Sequence, residues 1–209
     1  MNEIMTQHVH LAVYDTLADW EVGYATAHIG NGDWQREPGR YEIRTVGAGP
    51  EPVRTMGGMT ITPDLTLDEL NAEDSAMLIL PGAGTWLTGD NADFAKKARR
   101  FLDAGVPVAA ICGATGGLAA EGLLDDRRHT SNAPEFVQAF GSKGADLYCD
   151  VPAVTDRGLI TASGTKPVDF AREVFAALDL YTPEVLASWY KLYGLGDPAG
   201  YFELMGEAA

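Results

Sequence analysis

Two runs of the sequence, SAMLIL at residues 75–80 and VPVAAIC at 106–112, are apolar with almost no alternation, and each stops at small residues, PGAG and GATGG. A half-exposed strand alternates polar and apolar positions, so continuous hydrophobicity marks strands covered on both faces. Parallel sheets between two layers of helices provide that cover. HVHLAVY (8–14) and YEIRTVGAG (41–49) read as further strands, and VRTMGGMTIT (53–62) as a short hairpin turning at MGG. Trp20, Tyr24, Ala27 and His28 keep helical spacing, as do Phe94, Ala98, Phe101 and Leu102 within 91–104. Another helix is expected from near Thr115 to near Gly122. RRHTS then reads as a strand, PEFVQAFGSKG as a helix, LYCDVPAVTDRGLITAS as two strands around DRG, and KPVDFAREVFAALD as a long amphipathic helix. The alternation predicts one α/β domain over residues 1–209, a sandwich with a mostly parallel sheet and helices on both faces. The last segment, 183–204, carries an apolar stripe expected to pack on the same domain.

Charge and composition narrow the function. A formal net charge of −15 on 209 residues repels nucleic acid and anionic lipid, so neither is an expected partner. No apolar run approaches the roughly 18 residues of a membrane span. The first ten residues lack a basic stretch followed by an apolar core, which points to the cytoplasm. Two cysteines suit a reducing compartment and do not make a disulfide framework. Nothing in the sequence calls for a metal or a cofactor.

The end of the second apolar run carries the chemistry. Ligands of open α/β sheets gather at the carboxyl ends of strands, and Cys112 falls at such an edge. The small residues after it permit a sharp strand-to-helix elbow, and the following helix aims its positive end at the sulfur, so a lowered thiol pKa is expected. The amides of Gly82, Ala83 and Gly113 are candidates for holding an oxyanion. Glu21, in the first helical turn after the first strand, is placed to share a proton with the sulfur, and we expect a protonated carboxyl that favours the thiolate. Cys149 has no glycine-rich turn and reads as a packed thiol.

LAVYDTLADWE (11–21), LILPGAG (78–84), AAICGATGGLAAEGLLDDRRHTSN (109–132) and LITASGTKPVDFAREV (159–174) resemble, in this order, the ThiJ/PfpI family of the class I glutamine amidotransferase-like superfamily. The resemblance implies a flavodoxin-like fold, frequent dimerisation, Cys112 as the reactive thiol and Glu21 as the acid touching it. It also has departures. Protease-like members carry His directly after the Cys, where this chain has Gly113. The late His-x-Glu pair of glutaminase domains is absent. In the segment HTSN the usual His position is held by Ser131, leaving His129, of equal strand parity, as a candidate catalytic partner. These features predict a cysteine-dependent hydrolase or amidase acting on a small molecule. The alternatives are a redox or stress-responsive protein oxidised at Cys112 and a non-catalytic binding module. A homodimer is expected, from the resemblance and from the aromatics Trp189, Tyr190 and Tyr193.

Overall fold

The computed structural model describes residues 6–206. Seven strands form the central sheet: β1 (Gln7–Ala12), β2 (Tyr41–Gly47), β5 (Leu65–Thr66), β6 (Ser75–Leu80), β7 (Val108–Ile111), β8 (Ala153–Asp156) and β9 (Leu159–Ala162). Their order is β5-β2-β1-β6-β7-β9-β8, and every pairing is parallel except that of β8 with β9. A separate hairpin joins β3 (Val53–Arg54) to β4 (Thr60–Ile61). The expected mostly parallel α/β sandwich is therefore the observed fold, and Met77–Leu80 and Val108–Ile111 are fully buried within it.

Helix α1 (Asp19–Gly30) packs on α6 (Pro167–Ala177), which carries α7 (Pro183–Leu195) and then α8 (Ala199–Leu204). A second group packs around α4 (Gly113–Ala120) and comprises α2 (Thr85–Thr88), α3 (Ala92–Asp103) and α5 (Pro134–Ala139). The glycines of GATGG set how closely α4 approaches its neighbours. A Cβ on Gly117 would stand 2.1 Å from Cζ3 of the buried Trp86, and one on Gly116 would stand 2.9 Å from the Phe140 ring. Trp86 is itself fixed, because its Nε1 donates to the Pro81 carbonyl and the Tyr14 hydroxyl, both at 2.9 Å.

Several elements differ from the sequence reading. Helix α4 starts at Gly113, directly after the cysteine, not near Thr115. RRHTS forms no strand, only an isolated bridge between His129 and Tyr148, because Thr130 bonds the Thr161 hydroxyl and the Val151 carbonyl in place of a regular ladder. The helix expected over PEFVQAFGSKG closes after six residues. The stripe near Trp189 packs on the same domain as expected: Trp189 is fully buried, with its ring centroid 5.0 Å from Phe175 and 5.4 Å from His28, and Tyr190 donates to Asp169 at 2.7 Å. This engagement removes Trp189 as a surface on which to base a homodimer.

The glycine contacts yield a paired prediction. Gly117→Ala should lower stability by about 1–3 kcal/mol through overpacking against Trp86. Gly23→Ala, where an added Cβ meets nothing within 4 Å, should raise it by roughly 0.5–1 kcal/mol through helix propensity. Urea unfolding of both variants checks the pair, and equal midpoints would contradict the packing described.

Candidate active site

β1 is flanked by β2 on one side and β6 on the other, so the chain leaves it in one direction and returns in the opposite one. At such a switch point the connections diverge and leave a crevice beyond the strand ends. Glu21 enters this crevice after β1, Pro81–Gly84 after β6 and Cys112 after β7.

Cys112 turns the strand into the helix with φ 58° and ψ −122°, a positive φ that is uncommon for a residue bearing a Cβ. Contacts on both sides hold it there. Its amide donates to the Ala162 carbonyl at 3.0 Å, and its carbonyl accepts from the Thr115 amide at 3.1 Å and the Thr115 hydroxyl at 2.6 Å. The Thr115 and Ser131 hydroxyls are 2.6 Å apart, so Ser131 steadies the elbow from behind. The strained elbow thus projects the sulfur beyond the sheet edge, half-buried.

Glu21 is completely buried. Its Oε2 accepts the Gly82 amide at 2.6 Å, its Oε1 has no hydrogen-bond partner among the described residues, and the carboxyl faces the Cys112 thiol, so that a Cβ on Gly164 would stand 2.7 Å from the sulfur and 3.0 Å from Oε1. Burial pushes Glu21 up to about 7. Burial, and then the facing Glu21 carboxylate, push the Cys112 thiol up to about 11. Between those values the pair carries one proton, with the electrostatic sign opposite to that expected. The thiol keeps the proton, and an ionised Glu21 opposes the thiolate instead of favouring it. Hydrogen bonds from Asn132 and the Gly113 amide lower the thiol pKa only in part.

The three candidate oxyanion amides separate. Gly82 is occupied by Glu21, so it anchors the acid and is not free to meet a substrate. The Ala83 amide has no acceptor among the described residues, and it lies 3.4 Å from where a Cβ on Gly113 would stand. Ala83 and Gly113 are therefore the adjacent amides at the mouth of the site.

His129 is not brought to the sulfur. It is fully buried, its Nδ1 lies 2.8 Å from the Arg127 carbonyl, its ring packs on Tyr148, and it does not line the crevice. The residue in its expected place is Asn132, whose Nδ2 donates to Cys112 Sγ at 3.3 Å while its Oδ1 accepts the Gly164 amide at 2.9 Å. Sequence reasoning fixed on the histidine and passed over Asn132, two residues after Thr130 in the same motif. Gly164 was also missed. A Cβ there would stand 2.7 Å from the sulfur and 3.0 Å from Glu21 Oε1, and its carbonyl accepts Trp20 Nε1 at 3.0 Å. Cys149 is half-buried, with its thiol toward the Leu147 carbonyl, away from this cluster.

These residues surround a cleft of about 240 Å³. Residues 7–177 match the DJ-1/PfpI family. The chain belongs to the DJ-1/PfpI family. Within it, the protein named uncharacterized protease YoaZ of Bacillus subtilis (strain 168) is 41% identical over 205 residues, 97% of this chain and 98% of the relative. The protein named protein/nucleic acid deglycase 2 of Escherichia coli (strain K12) is 31% identical over 111 residues, 52% of this chain and 63% of that relative. The crystal structure of the thiJ/pfpI family protein from Bacillus anthracis superposes with a TM-score of 0.91 at 40% identity, covering 99% of each chain. That of Atu0886, a DJ-1 superfamily protein from Agrobacterium tumefaciens, gives 0.81 at 34% identity over 91% of this chain and 100% of its own.

The buried acid generates two linked predictions. Glu21→Gln should lower the Cys112 thiol pKa from about 11, because the opposing carboxylate is gone; thiolate absorbance against pH reads this, and an unchanged or higher value would contradict it. The variant should also change stability with a defined sign. The folded state keeps the Glu21 proton where the unfolded chain, with an ordinary value of 4.5, has lost it, so stability falls as pH rises from 4.5 to about 7. Glu21→Gln removes a penalty of roughly 3 kcal/mol at about pH 8 and much less at about pH 5. Equal gains at both pH values in urea unfolding would show that Glu21 is not the titrating group.

Proposed function

We propose that the protein is a cysteine-dependent hydrolase of small molecules, with Cys112 as nucleophile and Glu21 as general base and acid. The observation that carries this reading is the buried Glu21 carboxyl, with a pKa of about 7, facing a thiol on a strained elbow beside the free Ala83 amide. A base is most effective when its pKa lies near the working pH. The thiol therefore need not be ionised at rest. As Sγ bonds to an electrophilic carbonyl carbon, the thiol proton passes to Glu21, and the carbonyl oxygen takes the negative charge toward Ala83 and Gly113. When the bond to the leaving group breaks, that group takes the proton back from Glu21, leaving a thioester on Cys112. Water then attacks, its proton goes to Glu21, and breaking of the C–S bond returns that proton to the sulfur. Asn132 holds the sulfur at 3.3 Å through Nδ2 and fixes the Gly164 loop through Oδ1, so it orients the nucleophile and carries no proton.

The name of the Bacillus subtilis relative suggests peptide hydrolysis, but Gly113 replaces the His that protease-like members carry next to the Cys, and His129 lies away from the sulfur. These features favour a small substrate over a peptide. Oxidation of Cys112 to a sulfenate or sulfinate is disfavoured by the raised thiol pKa, since the thiolate is the species that peroxide attacks.

A panel of small esters and amides, followed by mass spectrometry of the quenched protein, tests the reading. The expected result is an acyl group on Cys112 that turns over, with kcat/KM rising through a pH of about 7 as Glu21 ionises. Glu21→Gln should lose about 100-fold or more of that rate and the inflection with it. Turnover that survives Cys112→Ser, or an acyl group found only on Cys149, would overturn the assignment.

A further inference from the structure

Four apolar side chains from separate parts of the chain rim the Cys112 cleft. Trp20 comes from the first turn of α1, Met56 from the tip of the β3–β4 hairpin, Leu87 from α2 and Phe136 from α5. Trp20, Met56 and Leu87 are 52%, 55% and 65% exposed, an unusual concentration of large apolar groups around one opening. Among the described residues no Lys, Arg or His lines the cleft, and its one ionisable side chain besides the thiol is the buried Glu21.

The rim is held in position by the backbone. Met56 donates its amide to the Leu17 carbonyl at 2.8 Å, and Gly57 donates its amide to Asp19 Oδ2 at 2.7 Å, so the hairpin tip is tied to the start of the helix that carries Glu21. Arg54 donates its amide to Asp15 at 2.8 Å at the base of the same hairpin. Trp20 is tied to Gly164 at 3.0 Å, the residue that presses on the sulfur. The apolar surface and the reactive pair thus share their anchors.

We infer that the cleft selects uncharged substrates bearing a small apolar group, seated between Trp20, Met56, Leu87 and Phe136 with the electrophilic carbon at Cys112. This deepens the hydrolase reading and rests on it. A charged substituent entering the cleft would lose water without adequate return: an anion meets no cationic side chain among the described lining residues and faces Glu21, and a cation finds the Glu21 carboxyl fully buried and already bound to the Gly82 amide. The net charge of −15 further opposes anions. An apolar substituent gains from the same surroundings, and a pocket contact of one to a few carbon atoms is worth about 10-fold or more in selectivity.

Alkylation of Cys112 tests the selectivity without requiring turnover. N-phenyliodoacetamide, iodoacetamide, iodoacetate and a trimethylammonium analogue are compared, each rate divided by that reagent's rate with glutathione, and modification at Cys112 and Cys149 is counted separately by mass spectrometry. The expected result is a saturable rate with the phenyl reagent and a normalised preference over both charged reagents of about 10-fold or more at Cys112. The preference should be absent at Cys149. Met56→Ser and Leu87→Ser should each reduce it several-fold while leaving the iodoacetamide rate within about 2-fold, because neither residue touches the sulfur–carboxyl pair. Asp19→Ala should reproduce the Met56→Ser loss through release of the hairpin tip. Equal normalised rates for the four reagents, or a preference unmoved by the rim substitutions, would overturn the inference. Light scattering of the same variants supplies a second check. A dimer that dissociates on Leu87→Ser with the reagent preference intact would assign the rim to a subunit interface and likewise overturn it. Loss of ester turnover with the preference retained would instead count against the hydrolase reading alone.

Discussion

The burial of the Glu21 carboxyl against the Cys112 thiol is the constraint around which the site is arranged. Two buried groups that both lose their protons would place two negative charges in one dry crevice, which burial strongly opposes. The Gly82 amide partly compensates an ionised carboxyl, at 2.6 Å, and Asn132 with Gly113 partly compensates the sulfur. Neither set is strong enough to let both ionise near neutrality. The result is a carboxyl with a raised pKa beside a thiol with a raised pKa, an arrangement in which proton transfer accompanies bond formation at sulfur instead of preceding it.

The backbone around the pair is organised to bring the groups that close. Glycine at 82 and at 164 is required by distance: a Cβ at either position would stand under 3.0 Å from a Cys112 side-chain atom. The positive φ at Cys112 is maintained by bonds from β9 and from Thr115, and Thr115 in turn meets Ser131. Strain of this kind, of order 1–3 kcal/mol, persists only where the surroundings over-determine it. The sheet supplies those surroundings, since β6, β7 and β9 are each buried on both faces at the ends nearest the site. The raised pKa of Glu21 is a second stability cost of the same site, visible only above the ordinary carboxyl range.

Much of this was legible in the sequence because the relevant physics is local. Unalternating apolar runs at 75–80 and 106–112 specify parallel strands, and small residues directly after them specify turns, so the sheet, the placement of Cys112 and Glu21 and the adjacent amides of Ala83 and Gly113 could be read directly. What escaped depends on tertiary placement. Gly82 carries the same turn chemistry as Ala83, and only the position of the Glu21 carboxyl distinguishes a bound amide from a free one. His129 and Ser131 share strand parity in the sequence, but the segment is not a strand, so parity assigned a side-chain direction that the chain does not take. Asn132 consequently reaches the sulfur from the following position. The sign of the thiol's electrostatics differs because the sequence reading gives the proton to Glu21 as a donor to the thiolate, whereas burial and then the facing Glu21 carboxylate hold it on the sulfur. The stripe near Trp189 packs on its own domain, as its apolar spacing implies, and with Trp189 against His28 and Phe175 it no longer supports the expected homodimer.

The chemistry of the site turns on where one carboxyl group titrates. A carbon-13 NMR titration of protein labelled at the glutamate side-chain carboxyls, with Glu21→Gln used to assign the resonance and Cys112→Ala to remove the thiol, reads it directly. The Glu21 resonance should move with a midpoint of about 7 in the wild type and stay well above 4.5 without the thiol, because burial is the main cause. A Glu21 midpoint near 4.5 in the folded wild type would contradict it, leaving an ordinary carboxylate at the start of a helix and a thiol without a base.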